Sequence, residues 1–299
     1  MKRLAPLVVF AFNRIEPLKR CISSLLKNDE AENTDLFVFV DGPRINRVED
    51  KVNIEAVRQY VKEIRGFKSL SYRFSENNKG LGPSIIEGVS EVISRHGMAI
   101  VVEDDLILTP NFLSFMNKGL ERFENEKKVF SVCGYTNKVR IPKNYTEDAY
   151  FCVRSSSWGW ATWRDRWEQV DWDLLEWEKH RLNKYKFCKW GGSDCWKMLN
   201  DWHTGKNQSW AIRFCYSQFL NDTVSLFPIT SKVANEGFDG NGTNCKGWSR
   251  FKCELDNGYS KNFKFPSTLS LNLKICKDSL SYHSLWRRIY SRIMYLVHS

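Results

Sequence analysis

The chain has 299 residues, with 45 Lys and Arg against 35 Asp and Glu, a formal net charge of +10 and 12 Trp. That length suits one large α/β domain, or a catalytic domain with an appendage, and is enough to bury a sizeable core. No stretch approaches the length of a membrane span, and no zinc-finger spacing or RNA-recognition signature accompanies the positive charge. Nucleic acid is therefore not the expected partner, and a nucleotide diphosphate or an anionic membrane surface is. Nine Cys without a Cys-x-x-Cys pair, and no leader ahead of the first strand, read as reduced thiols of a cytoplasmic protein. The Asn-x-Ser/Thr matches at Asn144, Asn207, Asn221 and Asn241 are then expected to stay unmodified.

In chain order, Leu7–Phe12 reads as a buried strand with Asn13-Arg14 at its exit, followed by a helix with Pro17 in its first turn and Leu18, Cys21, Ile22, Leu25 and Leu26 as its apolar stripe. Leu36–Val40 is a second strand, ending in Asp41-Gly42-Pro43. Val52, Ala56, Val57, Tyr60, Val61 and Ile64 mark a second amphipathic helix. Leu70–Phe74 alternates as a strand with one more polar face, and Ile85, Ile86, Val89, Val92 and Ile93 form the inner face of a third helix. Strands alternating with helices imply right-handed crossovers and a mostly parallel, Rossmann-like sheet flanked by helices.

The next strand organises the rest. Met98–Val102 is apolar throughout, as in a strand buried on both faces, and Glu103-Asp104-Asp105 follows without a break. Ionised carboxylates are costly in an apolar interior, so the trio belongs where the strand emerges, at the sheet edge where open α/β folds bind ligands. If extended geometry persisted, Glu103 and Asp105 would share one face and Asp104 would point away. Clustered carboxylate oxygens suit Mg2+ or Mn2+, which in turn suits a diphosphate. Thr109 is placed to cap a helix whose Phe112, Phe115, Met116, Leu120 and Phe123 are core, and Val129–Cys133 is a further strand. From about Tyr135 the composition turns to Trp, Gly and polar residues with weak periodicity.

No glycine fingerprint follows the first strand, where the chain reads Phe12-Asn13-Arg14-Ile15-Glu16-Pro17, and no P-loop is present. As an ordered set, Val8–Arg14, Asp41-Gly42, Asn78-Lys79-Gly80-Leu81-Gly82 and Val101–Leu106 resemble the landmarks of GT-A glycosyltransferases. The nearest likeness is to bacterial, family 2-like relatives of the N-acetylglucosaminyltransferase I type. Pro110–Phe115 and the Gly-Trp segment Ser157–Trp163 extend the likeness over about residues 5 to 245. The resemblance implies a metal-dependent GT-A enzyme with a nucleotide-sugar half over 1–134 and a Trp-rich acceptor half over 135–247. Residues 248–299 would form a basic extension.

It also implies residue roles. Phe12, Arg14, Asp41, Lys79, Glu103 and Asp104 would contact the nucleotide sugar, with uridine the expected base. Asp105 would hold Mn2+ or Mg2+, and Trp158 and Trp160 would face a glycan or lipid-linked saccharide acceptor of surface polysaccharide synthesis. An inverting member needs a general base, which would fall near Gln208–Arg213, a stretch without a carboxylate. Asp201 and Glu236 are the preferred substitutes among Asp194, Asp201, Glu236 and Asp239. Val233–Thr243, with three glycines, resembles the family's lid over the donor. Ser284–Val297 mixes Arg with aromatic and aliphatic residues, as an interfacial helix on an anionic inner membrane would. Two other readings stay open: a sugar nucleotidyltransferase, and a catalytically inactive nucleotide-sugar or glycan-binding protein.

Overall fold

A computed structural model describes residues 4–237 and 250–298. The first half alternates strand and helix as its periodicity requires: β1 (Leu7–Ala11), α1 (Ile15–Leu25), β2 (Asp35–Val40), α2 (Val48–Glu63), β3 (Ser69–Phe74), α3 (Leu81–His96) and β4 (Met98–Glu103). A short β5 (Leu106–Leu108) follows the acidic trio, then α4 (Phe112–Phe123) and β6 (Val129–Cys133). The second half holds β7 (Ala149–Cys152), β8 (Trp160–Trp163), α5 (Arg164–Trp167), α6 (Trp177–Arg181), α7 (Lys184–Gly191), α8 (Cys195–His203) and α9 (Trp210–Leu220). β9 (Val224–Pro228), β10 (Val233–Asn235), α10 (Leu273–Ser281) and α11 (Leu285–His298) complete it.

Eight strands form one sheet in the order β3-β2-β1-β4-β8-β6-β9-β7. β1, β2, β3 and β4 are parallel neighbours, while β8 runs antiparallel between β4 and β6 and β7 runs antiparallel to β9. The alternation of β1 assigns its two faces. Leu7, Val9 and Ala11 join Leu18, Ile22 and Leu25 of α1, Val57 and Val61 of α2 and Phe112, Phe115 and Met116 of α4 in one core. Val8 and Phe10 join Ile85, Val89 and Ile93 of α3 and Trp210 and Phe214 of α9 on the other side. Strands covered on both faces explain the uninterrupted apolar runs of β1 and β4.

Three features differ from the sequence expectation. β5 pairs antiparallel with β10, Leu108 opposite Val233, and so brings a segment more than a hundred residues downstream against the acidic trio. Thr109 precedes α4 but does not cap it: its hydroxyl donates to the Asn111 side chain (2.8 Å), and Asn111 occupies the cap position. The expected boundary near residue 247 does not end the packing, because Phe251, Phe263, Phe265 and Leu271 lie against the main core and Ile275 and Cys276 of α10 are buried on β7. Among the described residues no helix is long and apolar enough to cross a membrane.

Candidate active site

Parallel strands deliver their carboxyl ends to one edge, and there the chain opens a cavity of about 730 Å3. β1 contributes Phe12, Asn13 and Arg14; β2 contributes Asp41 and Arg44; β4 contributes Glu103, Asp104 and Asp105. The start of α3, the loop before α9 and Trp158 form the remaining walls. α3 approaches closely because Gly80 takes a left-handed φ of 81° and Gly82 lies where a side chain would collide with the Gln208 carbonyl.

β4 ends at Glu103, so the extended alternation stops there and Asp104 and Asp105 turn toward the same partner. One Arg14 nitrogen, Nη2, donates to Asp104 Oδ1 (3.0 Å) and Asp105 Oδ2 (2.9 Å). Asp104 Oδ2 also accepts from the Phe12 backbone N–H (3.4 Å). The expectation that Asp104 points away is thus corrected: all three carboxylates line the cavity. Burial, reinforced by Asp105 and Asp104, pushes the Glu103 carboxyl up to about 8. Burial likewise pushes Asp104 up to about 6, with Arg14 opposing it. Asp105 Oδ1 and Arg14 Nη1 are buried without a hydrogen-bond partner among the described residues. An orphaned carboxylate oxygen beside an orphaned guanidinium nitrogen forms a place for one cation and one anion.

Asp41 shapes the neighbouring wall. Its Oδ1 accepts from the Gly42 and Lys79 backbone N–H groups (2.8 and 2.9 Å), and its Oδ2 from Gly80 N–H and Asn78 Nδ2 (2.9 and 3.0 Å). A second clamp holds the exits of β1 and β2: Asp50 takes Arg44 Nε and Nη2 (2.6 and 2.8 Å) and Asn13 Nδ2 (2.8 Å), and Arg44 lies over the Phe12 ring at 5.3 Å. The Arg44 guanidinium draws the Asp50 carboxyl from 3.8 down to about 2. A depressed carboxyl stabilises the fold above its unfolded pKa and loses that contribution as pH falls through the folded value. Asp50→Asn is therefore expected to cost about 1–2 kcal/mol at neutral pH, discounted because Arg44 is half exposed. Urea unfolding should show the gap from wild type shrinking as pH falls from 4 toward 2; a gap constant over that range would refute the clamp.

The predicted residues divide. Phe12, Arg14, Asp41, Lys79, Glu103, Asp104, Asp105 and Trp158 all line the cavity. The Lys79 ammonium is already paired with Glu87 at 2.5 Å. Trp160 is corrected from acceptor contact to core: it is 2% exposed and stacked on Trp210 (centroids 4.7 Å), because β8 lies inside the sheet. Asp201 is on α8, paired with Lys197, and is absent from the lining. Glu236 is at the surface with Arg20 (2.8 Å), although its backbone N–H donates to the Asp105 carbonyl (3.0 Å). Neither carboxylate is brought into the cleft. Asp194 is bound to Arg154 (2.8 Å), and Asp239 with the rest of the glycine-rich segment past Gly237 lies outside the described residues. His203 is stacked on Trp177 at 4.0 Å as a packing residue.

Sequence reasoning missed Arg44 and the Asn13–Asp50 bond. Arg44 had a signal in its place just after Asp41-Gly42-Pro43, and Asn235, inside the segment read as a lid, is brought to the cavity by the pairing of β10 with β5. Of the Gln208–Arg213 stretch, where the resemblance puts a general base, Gln208 through Ala211 line the cavity, and no carboxylate is among them.

The sequence profile of glycosyl transferase family 2 matches residues 7–180. No curated protein matches the chain in sequence. Similar solved structures include S. aureus TarS, 11% identical with a TM-score of 0.41, covering 78% of this chain and 60% of that one. TarS 1–349 in complex with UDP-GlcNAc is 15% identical with a TM-score of 0.37, covering 56% and 46%. The mannosyltransferase PcManGT from Pyrobaculum calidifontis, in complex with GDP-Man and Mn2+, is 8% identical with a TM-score of 0.37, covering 55% and 46%. The chain thus spans less than two thirds of the length of these structures.

Proposed function

The chain belongs to glycosyl transferase family 2, and we propose that it transfers a sugar from a nucleotide-sugar donor, with uridine as the base, to a glycan or lipid-linked saccharide of surface polysaccharide synthesis. One observation carries the reading: Arg14, Asp41 and Glu103–Asp105, distant in sequence, line one cavity at the carboxyl ends of β1, β2 and β4. Phe12, Arg44 and the Asp41-anchored loop offer an aromatic face and polar groups for the nucleoside. Asp105 is the residue to hold Mn2+ or Mg2+. Its orphaned Oδ1 fits that task, and no cluster of three or more His, Cys, Asp or Glu able to hold a metal occurs among the described residues. A single carboxylate with diphosphate and water as the other ligands is the usual arrangement for Mg2+. When bound, the ion neutralises charge building on the departing diphosphate.

The chain's own residues then divide the work. Arg14 balances Asp104 and would offer its free Nη1 to an anion, Glu103 would face the nucleoside and sugar, and Trp158 would wall the acceptor side. Inversion at the anomeric carbon is the stereochemical expectation, and a product made with retention would remove the need for a general base at Asp201 or Glu236. Incubation with UDP- and GDP-linked sugars and an acceptor extract should release free nucleoside diphosphate only when Mn2+ or Mg2+ is present. Metal-dependent binding without release would favour the inactive binding protein, the reading encouraged by the cleft wall at Gln208–Ala211, which has no carboxylate.

We also propose that α11 rests on an anionic membrane surface, where a lipid-linked acceptor would be met. Leu285, Trp286, Ile289 and Ile293 are exposed on one side of this helix, and Arg287, Arg288 and Arg292 are interspersed. The combined substitutions Trp286→Ser, Ile289→Ser and Ile293→Ser are expected to lower flotation with phosphatidylglycerol liposomes by about tenfold. Equal flotation ends the idea.

A further inference from the structure

Behind Trp158 lies a second cavity, of about 190 Å3, which shares Ser157, Trp158, Met198, Trp210 and Ala211 with the first. It is therefore a side chamber opening off the cleft. Its lining mixes aromatic faces (Tyr135, Trp158, Phe227, Phe251) with small polar groups (Asn137, Ser155, Ser156) and His283. Tyr135 and Trp158 meet edge to face at 4.6 Å, which fixes the indole between the two spaces.

The chamber carries no net charge for an anion to read. Arg154, its one cationic lining residue, is held at both ends by Asp194 (2.8 and 3.0 Å) and by the Gly191 carbonyl (2.9 Å). His283 Nδ1 faces Asp194 Oδ2 at 3.7 Å, an ion-pair contact longer than a hydrogen bond. Aromatic faces with a few fixed polar groups suit the CH faces and hydroxyls of a neutral pyranose. A lipid chain would press hydrocarbon against Asn137, Ser155 and Ser156, and a phosphate would find Arg154 already occupied.

We propose that this chamber seats the terminal, uncharged sugar of the acceptor, directing one hydroxyl past Trp158 into the donor cleft. The proposal rests on the donor-cleft reading above and adds a substrate class: an acceptor ending in a neutral hexose or N-acetylhexosamine. The hydroxyl oxygen would form the new bond to the anomeric carbon as the bond to the nucleoside diphosphate breaks. Its proton would leave with that diphosphate or the solvent.

The test uses the full chain and a panel of neutral p-nitrophenyl hexosides and N-acetylhexosaminides, with p-nitrophenyl glucuronide and p-nitrophenyl phosphate as anionic controls. Saturation-transfer NMR reports glycoside binding, and coupled nucleoside diphosphate release reports acceptor KM. Ser155→Phe fills the chamber from one wall and His283→Gln alters the other. Either change should raise the KM for at least one neutral glycoside by about tenfold or more while the thermal response to UDP and Mn2+ stays. Unchanged affinity in a correctly melting Ser155→Phe chain overturns the proposal, as does exclusive binding of the anionic controls. If neither UDP nor GDP binds the wild-type chain, the donor reading fails separately. The chamber is then judged by NMR alone: neutral glycoside signals abolished by Ser155→Phe support it, and signals that persist, or none from the wild type, refute it.

Discussion

Asp105→Ala is expected to abolish the rise in melting temperature that UDP or GDP produces in the presence of Mn2+, and to lower kcat/KM by about a thousandfold. The size follows from the several kcal/mol that charge neutralisation supplies to a departing diphosphate. The ligand-free protein should melt close to wild type. Arg14 keeps its bond to Asp104, and a negative charge disappears from beside Asp104 and Glu103. The combination separates a ligand role from a structural one. A variant that still responds fully to metal and diphosphate would remove Asp105 from the ion site.

Asp41→Ala should act in the opposite way, through the fold first. Four donors converge on this carboxylate: the Lys79 and Gly80 backbone N–H groups and the Asn78 side-chain amide of the loop that leads into α3, and the Gly42 backbone N–H. Charge-assisted hydrogen bonds of this kind contribute about 1.5–3 kcal/mol each, though not additively. We expect a loss of about 3–4 kcal/mol and a fall in melting temperature of roughly 6–12 °C. Because the same loop walls the cleft, diphosphate affinity should fall too. Calorimetry and a diphosphate titration read the two effects, and a melting point within about a degree of wild type would refute the anchoring role.

How far the sequence foretold this site depends on the distance over which each residue is positioned. Glu103, Asp41 and Arg14 were legible because each ends a strand whose apolar run is visible, and strand ends converge in any parallel sheet. Trp160 was misassigned for a local reason: a Trp-rich stretch looks like a sugar platform until β8 proves to lie inside the sheet. Asp201 was chosen by nearness in sequence and Glu236 by its place in the glycine-rich loop, whereas the rim is set by how α8 and β10 pack. The Arg154–Asp194–His283 group was invisible because its members come from the segment after β7, the residue before α8 and the turn after α10. Nothing in the periodicity links them.

Arg14 has a consequence for the order of loading. With its guanidinium bridging Asp104 and Asp105, the empty cleft carries its own built-in counter-ion. A free divalent ion arriving alone must compete with that resident positive charge. A donor brings phosphate oxygens that give Arg14 somewhere else to go, so ion and sugar nucleotide should enter as a pair.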